Sequence, residues 1–226
     1  FFCLTNPYRK KRLKKGDEVL IPSICWSTSL WPIIQCGLKP VFVDVDKETF
    51  NITPDQIEKK ITKRTKAVIV VHYGGQSCDM KEIMKIAHKN KISVIEDCAH
   101  AFGSQYRKRF CGNFGETGCF SFYPTKIITT GEGGAVITNN LKIAKKIKLL
   151  RSQGMDTSPE KREQEGKWRY DVIDLGYNYR LDEIRASLGN SQLKRVKLIN
   201  KKRIKIAKLY DKELKNIKGI RIPHTN

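Results

Sequence analysis

Continuous apolar runs alternate with amphipathic segments through the first half of the chain. The run at residues 67–71 is wholly apolar, which is typical of a strand covered on both faces. Amphipathic stretches at residues 23–36 and 79–89 have the spacing of helices and lie between such runs. Because strand and helix alternate in this way, the pattern predicts an α/β fold with a mainly parallel sheet flanked by helices.

Turn residues and helix caps give the expected bounds of the elements. Strands are predicted at residues 18–21, 41–45, 67–71, 92–97, 118–122 and 135–138, a hairpin at residues 106–113 and a helix at residues 141–150. The segment Thr53-Pro-Asp-Gln56 predicts a further helix start. There Thr53 would cap the helix and Gln56 would complete a capping box.

The second half of the chain is more polar. Residues 155–172 are charged and almost free of aliphatic side chains, which predicts a long loop. One long helix is predicted from residue 181 to about residue 214, followed by a strand at residues 220–222. We therefore expect a large α/β domain at residues 1–180. Residues 181–226 would form a connecting helix and the beginning of a small C-terminal domain.

Two strand ends carry candidate chemistry. Lys126 closely follows a short apolar strand, and a glycine-rich turn comes after it. Burial lowers the pKa of a lysine because the charged form loses hydration, so such a lysine can act as a nucleophile. Asp97 ends another buried strand, at the sheet edge where functional groups collect in parallel α/β folds. The alternatives are an exposed loop lysine for Lys126 and a helix or turn cap for Asp97.

Pyridoxal phosphate (PLP) is the cofactor whose chemistry needs one lysine and one strand-end carboxylate. The lysine forms an imine with it, and the carboxylate keeps the pyridine nitrogen protonated so that the ring accepts electrons. Lys126 and Asp97 together therefore favour a PLP site. His72 also follows a buried strand, where a hydrogen-bonded structural histidine is favoured over a histidine facing the active site.

Six segments together resemble the DegT/DnrJ/StrS family of sugar aminotransferases, which are fold-type I PLP enzymes. Glu96-Asp-Cys-Ala-His100 and Ser121-Phe-Tyr-Pro-Thr-Lys126 begin two of them, and all six occur in the family's order, at residues 16–22, 37–46, 96–103, 121–126, 130–134 and 176–180. The resemblance implies the large α/β domain of that fold. It also implies a phosphate-binding segment before residue 1 and the rest of a small domain after residue 226. We therefore expect a chain truncated at both ends.

The resemblance also implies roles for individual residues. Lys126 is the Schiff-base lysine and the acid–base that moves the proton, and Asp97 pairs with the pyridinium nitrogen. His100 resembles the residue that steadies Asp97 or the ring. Ser121 resembles the hydroxyl that holds the cofactor phosphate. Trp26 resembles the aromatic residue over the ring face, with an ordinary core tryptophan as the alternative.

Asn178 and Arg180 resemble groups that reach the cofactor phosphate of a neighbouring subunit, which implies a homodimer with shared active sites. The alternative is a helix-start turn with a surface arginine. The implied reaction moves an amino group from glutamate to a nucleotide-linked keto-sugar, for lipopolysaccharide, glycan or antibiotic pathways. Related dehydratases carry histidine in place of the lysine, so Lys126 favours an aminotransferase. A catalytically inactive binding relative is the remaining alternative.

The composition limits the partners. The chain of 226 residues has 44 Lys and Arg against 23 Asp and Glu, a formal net charge of +21. Nucleic-acid binding would need this charge gathered on one face, whereas the lysines are spread over the whole chain among the acids. We therefore predict no nucleic-acid partner. A broadly basic surface would instead attract an anionic nucleotide sugar.

The cysteines and the apolar runs indicate the compartment. Seven cysteines are scattered without a CxxC pattern, which predicts neither a zinc site nor a disulfide framework. We predict no metal, and a reducing cytoplasm fits these thiols. No apolar run approaches the length of a membrane span, so no membrane partner is predicted.

Overall fold

Six strands form one sheet in the computed structural model, which describes residues 13–157, 159–166 and 168–224. In chain order the strands are β1 (Glu18–Pro22), β2 (Lys39–Val43), β3 (Thr65–Val71), β4 (Ser93–Asp97), β5 (Gln105–Tyr106), β6 (Arg109–Phe110), β7 (Thr117–Ser121) and β8 (Gly134–Ile137). The sheet order is β2-β1-β3-β4-β7-β8, and β5 pairs with β6 as a separate hairpin. All neighbours in the sheet are parallel except β8, which is antiparallel to β7. The predicted mainly parallel sheet is confirmed.

Seven helices accompany these strands among the described residues. They are α1 (Ser27–Gln35), α2 (Pro54–Lys60), α3 (Met80–Asn90), α4 (Leu141–Arg151), α5 (Pro159–Glu165), α6 (Glu183–Leu193) and α7 (Val196–Leu214), with a short 3₁₀ turn at Tyr73–Gly75. As the sequence predicts, Asp79 caps α3, since its carboxylate accepts the backbone N–H of Glu82.

The central strands are buried on both faces. On β1, Val19 and Ile21 pack with Ile33 of α1, whereas Leu20 joins Ile57 of α2 and Ile83 of α3 in a second core cluster. Successive strand residues point to opposite sides of the sheet, so this division places α1 on one face and α2 with α3 on the other. Continuous apolar runs are therefore required in the strands, which is why the sequence predicts them well.

Two predicted boundaries near the start of the sheet are wrong. Helix α1 begins at Ser27 rather than at Ser23, because Trp26 still has an extended backbone with φ −77° and ψ 143°. Strand β2 runs over Lys39–Val43, two residues earlier than predicted. The predicted capping box is also wrong. The Thr53 hydroxyl makes no cap bond and donates to the Asp55 carboxylate, a charged acceptor within its reach.

The single long helix predicted after residue 180 is two helices. The backbone leaves the helical region at Arg195, with φ −107° and ψ 2°, so α6 and α7 are separate. Each helix is joined to the rest of the protein by the amide side chain of one of its own residues. Gln192 of α6 accepts the N–H of Thr129, and Asn200 of α7 donates to the carbonyl of Phe102.

The polar segment at residues 155–172 is not an uninterrupted loop. It contains the short helix α5, and an isolated bridge between Met155 and Val172 joins its two ends. Residues 220–224 form no strand, contrary to the prediction for residues 220–222. The domain boundary at residue 180 stays a prediction.

Candidate active site

Asp97 is the last residue of β4, at the carboxyl edge of the parallel strands. Both neighbouring strands hold its backbone: the N–H of His72 donates to the Asp97 carbonyl, and the N–H of Cys98 donates to the carbonyl of Cys119. The side chain is half-buried and has two donors. Ser29 Oγ donates to Oδ2 over 2.6 Å, and the N–H of Ala99 donates to Oδ1 over 3.0 Å. The carboxylate is therefore fixed at the centre of the sheet edge.

Lys126 lies in the loop between β7 and β8, close to the same edge. Its backbone N–H donates to the carbonyl of Tyr123 over 2.9 Å, which makes a tight turn directly after the strand. The carbonyl of Phe122 accepts both the N–H of Thr130 and the hydroxyl of Thr129, so the loop folds back on its own start. The side chain of Lys126 is half-buried. Its role toward a cofactor stays a prediction.

His100 connects Lys126 with Asp97 electrostatically. Partial burial, and after it the positive charge of Lys126, lowers the pKa of the His100 imidazole, and the negative charge of Asp97 opposes the shift. Its ring lies edge-on to the ring of Tyr73, with the ring centres 6.2 Å apart. Lys126 and Asp97 thus both lie within electrostatic range of His100.

Ser121 and Trp26 complete the predicted group. Ser121 is the last residue of β7 and half-buried, and its hydroxyl accepts the N–H of Tyr123 over 3.4 Å. Trp26 occupies the N-cap position of α1, three residues before Ser29, and 74% of its surface is exposed. An ordinary core tryptophan, the alternative for Trp26, is wrong.

Asn178 and Arg180 lie on an exposed segment that runs along the end of α4. Asn178 forms an isolated bridge with Ser152, and a guanidinium nitrogen of Arg180 donates to the Gln153 side chain over 3.3 Å. Within the described part of the chain, no hydrogen bond or ion pair joins either residue to Asp97 or Lys126. Their role toward a neighbouring subunit stays a prediction.

The model of the DegT/DnrJ/EryC1/StrS aminotransferase family matches residues 4–226. The chain belongs to this family. The resemblance that the six sequence segments indicate is therefore confirmed, and it extends over almost every residue.

Relatives and solved structures agree with this membership. An uncharacterized protein of Methanocaldococcus jannaschii, MJ1066, is 47% identical over 93% of the chain and 55% of its own length. GDP-perosamine synthase of Caulobacter vibrioides is 44% identical over 80% of the chain and 46% of its own length. The structure of Helicobacter pylori PseC, an aminotransferase involved in the biosynthesis of pseudoaminic acid, has a TM-score of 0.85 at 33% identity, covering 96% of the chain and 55% of PseC. The chain thus spans about half the length of these proteins.

Two residues near Asp97 were missed in the sequence. Ser29 contacts the carboxylate directly, and Cys25 lies close enough that Asp97, together with partial burial as the larger cause, raises the pKa of the thiol. Only one signal could have found Ser29. It follows Trp26, the expected ring residue, by only three positions in the chain.

A second polar cluster lies beneath the edge and is structural. Ligand atoms of His72, Glu96 and Cys98 lie within 4.8 Å of one another. However, Nδ1 of His72 accepts the N–H of Cys78, and Nε2 faces Glu96 over 3.0 Å. Burial raises the pKa of the Cys98 thiol, which keeps it protonated. Both ring nitrogens of His72 have hydrogen-bond partners, so the structural interpretation of His72 is confirmed.

None of the helices in the described ranges combines the length and the apolar character that crossing a bilayer needs.

Proposed function

We propose that this family member is a PLP-dependent aminotransferase that transfers an amino group, from glutamate, to a keto carbon of a nucleotide-linked deoxy-sugar. The observation that carries the proposal is the convergence of Lys126, His100 and Asp97 at one sheet edge, where the pKa of His100 responds to both of the others. Family membership supports the reaction class.

The side chains at this edge fit PLP. The Asp97 carboxylate has two donors, and an ionised carboxylate offers about four acceptor positions, so capacity remains for a pyridinium N–H. The exposed indole of Trp26 stands at the start of the helix that contacts Asp97. A solved sugar aminotransferase of Streptococcus pneumoniae with this fold is known in a PLP form, at 29% identity and a TM-score of 0.81. The residues that would hold the cofactor are Lys126, Asp97, His100, Ser121 and Trp26.

Bound PLP supplies an aldehyde and an electron-accepting ring. The chain supplies the proton chemistry. Lys126 Nζ, when neutral, takes the proton from the α-carbon of the amino donor and later returns a proton to the sugar carbon. The negative charge of Asp97 would keep the ring nitrogen of the cofactor protonated, and His100 would steady this carboxylate.

An anionic sugar nucleotide suits the surface of the protein. A net charge of +21 attracts a diphosphate group before it reaches the site. The named relatives act in amino-sugar chemistry, as GDP-perosamine synthase and as an enzyme of pseudaminic acid biosynthesis. We therefore propose amino-sugar formation for a cell-surface polysaccharide or a related glycan. Lys126 stands where the related dehydratases carry histidine, which favours amino transfer over dehydration.

Partners and location complete the proposal. We propose a homodimer in which Asn178 and Arg180 serve the cofactor phosphate of the neighbouring subunit, because both are exposed and make few contacts within the described chain. The cysteines within the described ranges form no disulfide, which suits the cytoplasm. The dispersed lysines support a protein without a nucleic-acid partner.

Borohydride reduction and peptide mapping test the central assignment. The full-length polypeptide would be loaded with PLP, reduced and digested, and the pyridoxyl group should be found on Lys126. The chain offers many exposed lysines as internal controls, such as Lys142 on α4. A pyridoxyl group on another lysine would refute the role of Lys126. Absence of amino transfer from glutamate to any of a panel of keto-sugar nucleotides would refute the proposed substrates.

A further inference from the structure

The geometry points to Ser29 as a positioning residue that sets the orientation of the Asp97 carboxylate toward the pyridine nitrogen of the cofactor. This inference rests on the proposed function and goes beyond it. The sequence and the family resemblance assign roles around the ring to Trp26, Asp97 and His100. The hydroxyl that contacts Asp97 comes from none of these, but from the first turn of α1.

The contact between Ser29 and Asp97 is short and reaches across the sheet edge. Ser29 Oγ lies 2.6 Å from Oδ2, in the range of a hydrogen bond from a hydroxyl to an ionised carboxylate. The two residues are 68 positions apart in sequence, and both are half-buried. An exposed helical serine would keep its hydroxyl in water, so this hydroxyl is held by the packing of α1 against the sheet.

The two donors on Asp97 have different tasks. The N–H of Ala99 belongs to the backbone directly after β4, so its bond to Oδ1 is local and does not depend on any other element. Ser29 binds the other oxygen from a separate element. Donors on both oxygens fix the plane of the carboxylate, whereas one donor leaves it free to rotate about that bond. No other donor reaches Oδ2 within the residues that the structure describes.

Helix α1 therefore couples two parts of the proposed cofactor site. Trp26 occupies the N-cap position of this helix, and Ser29 lies three residues later in its first turn. The backbone N–H of Ser29 donates to the carbonyl of Trp26 over 2.9 Å, which links the two residues directly. The position of the indole and the orientation of the carboxylate are thus set by one rigid turn, rather than by two independent loops.

Binding of two cofactor forms to the full-length apoprotein tests this coupling. Tryptophan fluorescence would follow titration with PLP and with 1-deazapyridoxal phosphate, in which carbon replaces the pyridine nitrogen. Ser29→Ala should weaken PLP binding about tenfold, the usual scale for one hydrogen bond to a charged group. The same change should leave binding of the deaza compound unaltered, because that ring has no nitrogen for Asp97 to face. Ser29→Thr, which keeps the hydroxyl, should bind both like wild type.

Three controls separate the outcomes. Ser27→Ala removes an exposed hydroxyl from the same helix and should leave both dissociation constants unchanged. In an Asp97→Asn background, Ser29→Ala should have no further effect on PLP binding. If Ser29→Ala does not fold, Ser29→Cys keeps the volume with a weak donor and should show the same selective loss.

The result also distinguishes this inference from the proposed function. Wild-type protein that binds no PLP would refute the proposed function itself. Wild-type protein that binds PLP, with Ser29→Ala either unchanged or equally weakened for both compounds, would refute only the role of Ser29.

Discussion

His72 Nε2 lies 3.0 Å from Glu96 Oε2, and both side chains are fully buried. The Glu96 carboxylate also accepts the backbone N–H groups of Gly112, Phe114 and Gly115, each over 2.7 Å. One carboxylate thus joins the end of β3, the end of β4 and the segment after the β5–β6 hairpin. Because Asp97 is the next residue, this cluster supports the sheet edge from below.

Glu96→Gln should destabilise the fold strongly. Burial alone raises the pKa of this carboxyl, but the bonds from His72 and from the backbone of Gly115 and Gly112 outweigh it, so the folded pKa is lowered. The amide of Gln turns one acceptor into a donor that faces backbone N–H groups. We expect a loss of about 3 kcal/mol in the free energy of unfolding, measured with urea at pH 7.

The lowered pKa of Glu96 also predicts how the stability of the fold changes with pH. A lowered folded pKa means that Glu96 contributes stability above its ordinary value of 4.5 and loses it as the pH falls below that value. The difference in unfolding free energy between wild type and Glu96→Gln should therefore shrink between about pH 5 and pH 3. Glu213→Gln, an exposed change on α7, should cost little at either pH. A difference that stays constant over this interval would contradict the assignment.

His100 should titrate below its ordinary value of 6.5. Lys126→Met should raise the pKa of His100 because a positive charge is removed, whereas Asp97→Asn should lower it further because an attractive negative charge is lost. Proton NMR of the imidazole signals in the apoprotein measures both shifts. The signal of His88, on the exposed side of α3, should be unaffected by either change.

The lowered pKa of His100 also makes the free energy of unfolding depend on pH. The folded state binds this proton less tightly than the unfolded chain, so His100 reduces stability as the pH falls through 6.5. Shifts of the same direction in both variants would show that His100 does not lie between the two charges.

The turn that follows β3 packs against the backbone of His100, and it depends on glycine for two separable reasons. Gly74 and Gly75 both have left-handed backbones, with φ +60° and +88°. A Cβ on Gly74 would meet nothing within 4 Å, whereas one on Gly75 would lie 2.7 Å from the carbonyl oxygen of His100. Gly74→Ala should cost about 1 kcal/mol through backbone strain alone, and Gly75→Ala roughly 2 kcal/mol more through the clash.

Urea unfolding of the two variants measures these costs. The NMR titration of His100 should change in Gly75→Ala only, because only that change displaces its carbonyl. Equal costs for the two variants, or an altered His100 signal in Gly74→Ala, would contradict the contact.

The sequence predicts those site residues that a local pattern marks. Asp97 and Lys126 each follow an apolar run, so strand ends could be located without the structure. Ser29 could not be found in this way, because its partner is 68 residues distant and its own segment is an ordinary amphipathic helix. The break between α6 and α7 was hidden for a similar reason. Each helix is fixed by a distant backbone group, at Thr129 or Phe102, and the helical pattern continues through Arg195.

Under the proposed function, Lys126 and Asp97 variants of the full-length protein should fail differently. Lys126→Ala should lose the visible absorbance band of bound PLP, yet still bind pyridoxamine phosphate, because Asp97, the proposed partner of the ring nitrogen, is unchanged. Its turnover should fall at least 10³-fold, the scale of a lost acid–base group. Asp97→Ala should keep a visible band, since Lys126 is intact, but lose most amino transfer because the ring accepts electrons less well.

Lys142→Ala, exposed on α4, should behave as wild type. Absorbance spectra and multiple-turnover assays on the three variants measure this. Full turnover in Lys126→Ala would refute the role of Lys126. A band lost in Asp97→Ala but kept in Lys126→Ala would contradict both assignments.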